Sequence, residues 1–154
     1  GVENIIRVGS AGAYSADLNV YDVVLAESAY SESSFAKVQN GCEDDVLYPS
    51  KELNERILEA AARLDIPCKV ARVHSSDVFY QEADRGSYER YIENHGAKCV
   101  EMESFALFHN ASVLGKNAAC ILTISDSFVS KQITTAEERQ KSFTDMMKIA
   151  LEMA

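Results

Sequence analysis

The sequence contains no run of about 18 apolar residues, so no helical membrane span is expected. Positive charge is scarce. Fifteen Lys and Arg face 24 Asp and Glu, and the formal net charge of −9 argues against non-specific binding to nucleic acid or to an anionic membrane. A small anionic ligand stays open, because local donors can outweigh net charge. Cys42, Cys68, Cys99 and Cys120 form no CxxC pair, and His74, His95 and His109 show no ligand spacing with them. Buried, reduced thiols in a cytosolic compartment are therefore expected, and no metal site. Internal repeats and low-complexity stretches are absent. The first residues show no basic stretch followed by an apolar core, so no signal peptide is expected. Gly1 is not a methionine, and "NIIRVG" reads as a strand from residue 4, which points to a fragment or a processed piece.

What is present suits one soluble globular domain: 154 residues, 47% hydrophobic and 25% charged. Strands are expected at Asn4–Gly9, in "YDVVLAESAY", in "CKVARVHSS", in "AKCVEME" and in "NAACILTIS". Helices are expected after the N-cap Ser50, in "SYERYIENHG" closed by Gly96, and in "SFALFHNASVLG" closed by Gly115. A last helix opens with a Thr135–Glu138 capping box and carries Phe143, Met146, Met147, Ala150 and Leu151 as its apolar stripe. Residues 31–49 read as polar and irregular. Alternating strands and helices predict an α/β sheet with helices on its faces. Ligands of such sheets bind outside the carboxyl ends of the strands. The stretches to watch are Arg7–Gly12, Ser75–Tyr80, Val100–Glu103 and Ser125–Asp126.

Each of these stretches has a chemical and a plainer reading. In "RVGSAGA", Gly9 and Gly12 let the backbone approach a ligand, exposed N–H groups suit an anion, and Arg7 with Ser10 adds charge-assisted donors. The plainer reading is a tight strand exit with a surface arginine. It is not the GxGxxG dinucleotide fingerprint, whose third glycine is missing. In "VEMES", Glu101 and Glu103 share a face if strand geometry persists. A carboxylate there can accept hydrogen bonds from two vicinal sugar hydroxyls; a metal site or a solvated turn are the alternatives. Phe79 and Tyr80 can stack on a flat heterocycle or pack in the core. Asp126 ends an apolar run, and a carboxyl taken out of water can keep its proton and act as a general acid. Arg139, thirteen residues on, can pair with it. The plainer pair is a turn aspartate and an exposed helix arginine. Together the four groups suggest anion, sugar, ring and acid.

The order of "IIRVGSAGA", "SSDVFY", "VEMES", "LTISDS" and "TTAEERQKSFTDMMKIALE" resembles the bacterial-type, hexameric purine nucleoside phosphorylases of the nucleoside phosphorylase superfamily, over residues 1–154. Ser-Asp followed by "TTAEERQ" is the most specific element; "VEME" is shared across the superfamily. The resemblance implies an α/β, three-layer fold with a central mixed sheet flanked by helices. It also implies one partial domain over 1–154, lacking the N-terminal strands, because family members carry further chain before this point. By the same resemblance the activity is phosphorolysis of purine (deoxy)ribonucleosides in purine salvage. No cofactor, nucleic acid or membrane is involved, and the setting is a cytoplasmic homohexamer, a trimer of dimers.

Carried over, Arg7 and Ser10 bind phosphate. Phe79 and Tyr80 wall the base, with Val100 nearby. Glu101, Met102 and Glu103 hold ribose. Ser125 and Asp126 face the purine, Asp126 protonating N7 with help from Arg139. One departure is visible: the family usually has histidine after the aspartate, where Ser127 and Phe128 stand here. Uridine phosphorylases lack the Ser-Asp pair. Adenosine-nucleosidase relatives keep it but lack an arginine at the Arg7 position. A non-catalytic relative or fragment is the third reading.

Overall fold

A computed structural model of the chain describes residues 1–154. Its elements in order are β1 (Asn4–Ala13), β2 (Val23–Tyr30), α1 (Phe35–Asn40), β3 (Val46–Leu47), α2 (Lys51–Arg63), β4 (Cys68–Ser75), α3 (Glu89–His95), β5 (Ala97–Glu101), α4 (Ser104–Val113), β6 (Asn117–Ser127), α5 (Ala136–Ser142) and α6 (Thr144–Leu151). The sheet runs β3-β2-β4-β5-β1-β6, and β2 pairs with β6 as well. Five strands thus close into a ring, with β3 outside it. The sheet is mixed: β2–β4, β4–β5 and β1–β6 are parallel, while β1–β5, β2–β6 and β2–β3 are antiparallel. No helix is long and apolar enough to cross a membrane.

A ring of few strands encloses little space and must be filled by its own side chains. Many of those that fill it are small, Ala11 and Ala13 of β1, Ala26 and Ala29 of β2, Ala71 of β4, Cys99 of β5, and Ala118 and Cys120 of β6, joined by the larger Val24, Val73, Leu122 and Ile124. Phe105 and Phe108 of α4 pack onto this cluster. A second cluster joins Val23, Leu25, Ala119 and Ile121 to α2 (Leu53, Ile57, Ala60, Ala61) and to Phe143, Met146 and Ile149. β6 is therefore buried on both faces, which is why Ala118–Leu122 is an unbroken apolar run rather than an alternating one.

The expected caps form. Ser50 Oγ accepts from the Leu53 amide at 3.2 Å, Gly96 closes α3 in the left-handed region at φ 68°, and Thr135 and Glu138 make a complete capping box. Three expectations change. Residues 31–49 hold α1 and the two-residue β3. β1 extends to Ala13 and β6 to Ser127, because parallel pairing between them continues that far. The last helix is broken at Phe143, whose φ −90° and ψ 36° depart from helical geometry. The break shifts the buried stripe to Phe143, Met146 and Ile149 and leaves Met147 and Leu151 exposed.

The shifted stripe predicts that Ile149→Ala destabilises the protein by about 2–5 kcal/mol, while Leu151→Ala stays within about 0.5 kcal/mol. Urea unfolding of the two variants checks the register. Equal losses would restore the unbroken stripe.

Candidate active site

β1 and β5 run antiparallel but pair only at Gly12–Val100 and Ala13–Cys99. Past those pairs they make no more. One lip of the resulting cleft carries Arg7 and Ser10, and the other carries Glu101, Met102 and Glu103. At the closed end stand Val100 and Gly12, joined by Asp126 from β6. A bulge brings Asp126 there: Ala11 pairs with Ile124 but Gly12 with Asp126, so Ser125 is the extra residue. One extra residue reverses the side-chain alternation and re-aims the side chains beyond it. The carboxylate then lies over Gly12. A Cβ on Gly12 would meet Phe128 Cε2 at 2.9 Å, Asp126 Oδ2 at 3.1 Å and Val100 Cγ1 at 3.4 Å. Gly12 is thus the floor on which three side chains converge, and only glycine leaves them room.

Gly9 plays the same part for Arg7, whose guanidinium folds over the space a Cβ would take. Arg7 Nε lies 3.4 Å from Glu101 Oε2, and Arg7 Nη2 pairs with Glu103. Burial works against the arginine's charge, but Cys120, Glu101 and Glu103 outweigh it and hold the guanidinium more firmly protonated than usual. Its Nη1 is buried without a partner, a costly state for a charged donor.

The two acids differ sharply. Glu101 has a side chain 1% exposed. Its carboxylate accepts from the Glu103 amide at 3.0 Å, from the Ser104 amide at 3.0 and 3.1 Å, and from Ser104 Oγ at 2.5 Å. It fixes the start of α4 and offers no free edge to a sugar, contrary to expectation. Glu103, with a side chain 60% exposed, stays available. The expected shared strand face does not exist, because β5 ends at Glu101 and Glu103 is already the N-cap of α4.

At the other end, Ser125 Oγ donates to Asp126 Oδ1 at 2.6 Å, and Asp126 Oδ2 has no protein partner. Arg139 does not reach this acid. Its Nε donates to Thr134 Oγ1 at 3.0 Å and its Nη2 to the Thr134 carbonyl at 3.1 Å. The Thr134 hydroxyl and amide in turn bond the Ser125 carbonyl at 2.7 and 2.9 Å. Arg139 is thus one relay away, because its fork is taken up by the residue that precedes its own helix cap.

Phe79 and Tyr80 also fall outside the cluster. They are 77% and 86% exposed and pack edge-on to each other, centroids 4.8 Å apart. The aromatic wall beside Asp126 comes instead from Phe128, with Tyr14 at 5.2 Å and Tyr88 at 5.1 Å between ring centroids. The sequence does carry one signal for this wall: Tyr14 stands two residues beyond Gly12, on the same strand exit. Behind the wall Tyr14 stacks on Tyr91, and His74 Nδ1 lies 3.0 Å from the Tyr14 hydroxyl. Burial pushes the His74 imidazole down to about 4. A separate cleft of about 420 Å³ is lined by Met102 with Ser31, Phe35, Ser75 and Asp77 among others, so Met102, expected beside the two acids, lines this space instead; it holds none of Arg7, Glu103 or Asp126. No group of three or more His, Cys, Asp and Glu side chains is placed to hold a metal ion.

His74 yields a prediction with a defined sign. Its folded value, about 4, lies below the unfolded value of about 6.5. The unfolded chain therefore binds the extra proton between those limits, and stability rises with pH across them. This contribution, on the order of 3 kcal/mol, is complete above about pH 6.5 and lost as pH falls toward 4. Melting temperatures at pH 7.5 and 4.5 should drop less in His74→Gln than in the unaltered protein; an equal drop would contradict the assignment.

The phosphorylase superfamily model matches residues 1–154. The chain is 38% identical over 154 residues to a DeoD-type purine nucleoside phosphorylase of Caldanaerobacter subterraneus subsp. tengcongensis, covering 100% of this chain and 66% of that protein. It is 40% identical over 155 residues to a DeoD-type 2 purine nucleoside phosphorylase of Vibrio parahaemolyticus, covering 100% of this chain and 64% of that one. The chain thus spans about two thirds of the length of these curated relatives. In fold it is similar to a futalosine hydrolase mutant of Helicobacter pylori, with a TM-score of 0.78, 20% identity, and coverage of 99% of this chain and 69% of that one.

Proposed function

The chain belongs to the phosphorylase superfamily, and from that premise we propose that it is a purine nucleoside phosphorylase. The observation that carries the reading is a cation and an acid at neighbouring strand ends: Arg7 against Glu101 and Glu103, and Asp126 over Gly12. Arg7 keeps a buried nitrogen without a partner, and Asp126 keeps Oδ2 free of protein donors. Phosphate binds Arg7 and Ser10 through charge-assisted hydrogen bonds. Glu103 accepts from the ribose hydroxyls, while Glu101 keeps Arg7 and α4 in place. A phosphate oxygen forms a bond to the anomeric carbon, the bond from that carbon to N9 breaks with its electron pair passing into the purine, and Asp126 gives its proton to N7. The products are neutral base and sugar 1-phosphate, and no cofactor enters the balance. Arg139 acts through Thr134 and Ser125 to position the acid. In this reading the chain works within a homohexamer, in cytoplasmic purine salvage.

Hydrolysis by water is the second reading, favoured by one observation: Glu101 and Glu103 already balance the charge of Arg7. Base release from inosine or adenosine should require added phosphate and yield ribose 1-phosphate. Equal rates in phosphate-free buffer would select the hydrolase.

Asp126→Asn keeps the shape and removes the proton. Turnover of ordinary purine nucleosides should fall about 10²–10⁴-fold, the range for general acid catalysis. A 7-methylpurine nucleoside already carries the charge and should be much less affected. Arg139→Ala should show the same contrast more weakly. Steady-state rates on the two substrates decide, and equal losses on both would make Asp126 a binding residue only.

A further inference from the structure

Thr123 continues the face of β6 that carries Ala119 and Ile121 and packs on α2 and α6, and it pairs with Val23 of β2. A cavity of about 210 Å³ opens at this point, lined by Tyr21, Val23, Thr123, Ser142 and Asp145. Thr123 is 2% exposed, and its hydroxyl has no hydrogen-bond partner in the protein. A buried hydroxyl left unpaired is costly, and native proteins hold few such groups. Ser142 and Asp145 stand on either side of the break at Phe143, where α6 begins without a side-chain cap. The first amides of a helix have no partner within it. Asp145 Oδ1 accepts from Lys148 Nζ at 2.9 Å, which leaves Oδ2 outside that pair. Tyr21, half exposed, forms the mouth. Its φ of 75° is uncommon for an aromatic residue. Its amide donates to the Ile124 carbonyl at 2.9 Å, and its ring meets Phe143 edge-on with centroids 6.2 Å apart.

We propose that this cavity is a binding site for a small, neutral, planar molecule that carries a carbonyl beside an N–H, the edge of a lactam or a carboxamide. The carbonyl accepts from the Thr123 hydroxyl, turned toward the cavity by rotation about χ1. The N–H donates to Asp145, and the ring lies against Tyr21 and Val23. Charge selects the neutral class: the lining holds one carboxylate and no cation, so a bound anion is repelled at short range. Donors and an acceptor on one wall select a ligand that offers both. None of the lining residues belongs to the cleft of Arg7 and Asp126, so the site stands apart from the phosphorylase reading.

The test maps amide NMR shifts of the full chain during titration with 2-pyridone, which carries the lactam edge, and with pyridine, which lacks it. 2-Pyridone should move the amides of Tyr21, Thr123 and Asp145. Pyridine should bind about tenfold more weakly or worse, because two hydrogen bonds are lost. Thr123→Val keeps the shape, removes the hydroxyl and should weaken 2-pyridone by about 3–10-fold. Shifts confined to the surroundings of Asp126, equal binding of the two probes, or no binding at all would overturn the proposal. Undiminished binding by a folded Thr123→Val variant would do the same. If that variant does not fold, Asp145→Ala decides: a comparable loss supports the site, and undiminished binding overturns it. Inorganic phosphate checks the charge class, and shifts at Thr123 on adding it would overturn the neutral assignment.

Discussion

The carboxylate of Glu101 ties together three parts of the molecule. It sits at the end of β5, holds the amides of Glu103 and Ser104 and the Ser104 hydroxyl, and faces Arg7 of β1. An acid this deeply buried is tolerable only when donors surround it, and here backbone, hydroxyl and guanidinium all contribute. Because its donors come from the first residues of α4, the same contacts set where that helix begins. Phe105, the next residue, then enters the core. The neighbouring strand end joins through Ser76, whose amide donates to the Glu101 carbonyl at 2.9 Å. The lip of the cleft is thus fixed by a residue that does not itself reach into it.

The second constraint is space. Five strands closed into a ring leave little room, and β1 and β4 answer with alanine and valine, while β6 pairs Ala118 and Cys120 with Leu122 and Ile124. The same economy appears at the cleft, where Gly9 yields its side-chain volume to Arg7 and Gly12 yields its own to Asp126, Phe128 and Val100. Glycine here serves close approach rather than an unusual dihedral, since neither residue has positive φ. A bulge at Ser125 does the complementary work on β6. Packing and site geometry are consequently one problem: strands narrow enough to close the ring are also bare enough to seat the functional groups.

Much of this is legible in the residues themselves. Period and caps place α2, α3 and the start of α5, because Ser50, Gly96 and Thr135 act through local hydrogen bonds that the sequence encodes directly. Arg7, Ser10, Val100, Glu103 and Asp126 stand out at strand ends; of these, Arg7 meets Glu103, and Val100 and Asp126 meet over Gly12. The features that escape a sequence reading are set by tertiary geometry. The break at Phe143 carries no proline or glycine to announce it. Closure of the ring through β2 and β6 depends on long-range pairing. Glu101 looks like a twin of Glu103, because alternation along a strand cannot reveal that the strand ends between them. Phe79 and Tyr80 are the aromatics expected near the acid, but the rings that stand beside Asp126 are Phe128 and, packed on it, Tyr14 and Tyr88, since a loop's direction is not written in its composition.

The cleft also explains how an acidic chain can receive an anion. A net charge of −9 repels phosphate at long range, but screening in physiological salt limits that repulsion to about 8 Å. Inside the cleft the balance is local. Arg7 is flanked by one acid that is fixed and one that is exposed and free to turn. On the phosphorylase reading, the two substrates solve the problem jointly. Phosphate supplies oxygen to the guanidinium nitrogen that lacks a partner, and the sugar hydroxyls supply donors to Glu103 as it leaves Arg7. Neither exchange leaves the Arg7 charge unpaired, because Glu101 stays beside it throughout. The pairing of Arg7 with Glu103 is then the resting form of a site whose cation and anion are each destined for a different part of the substrate pair.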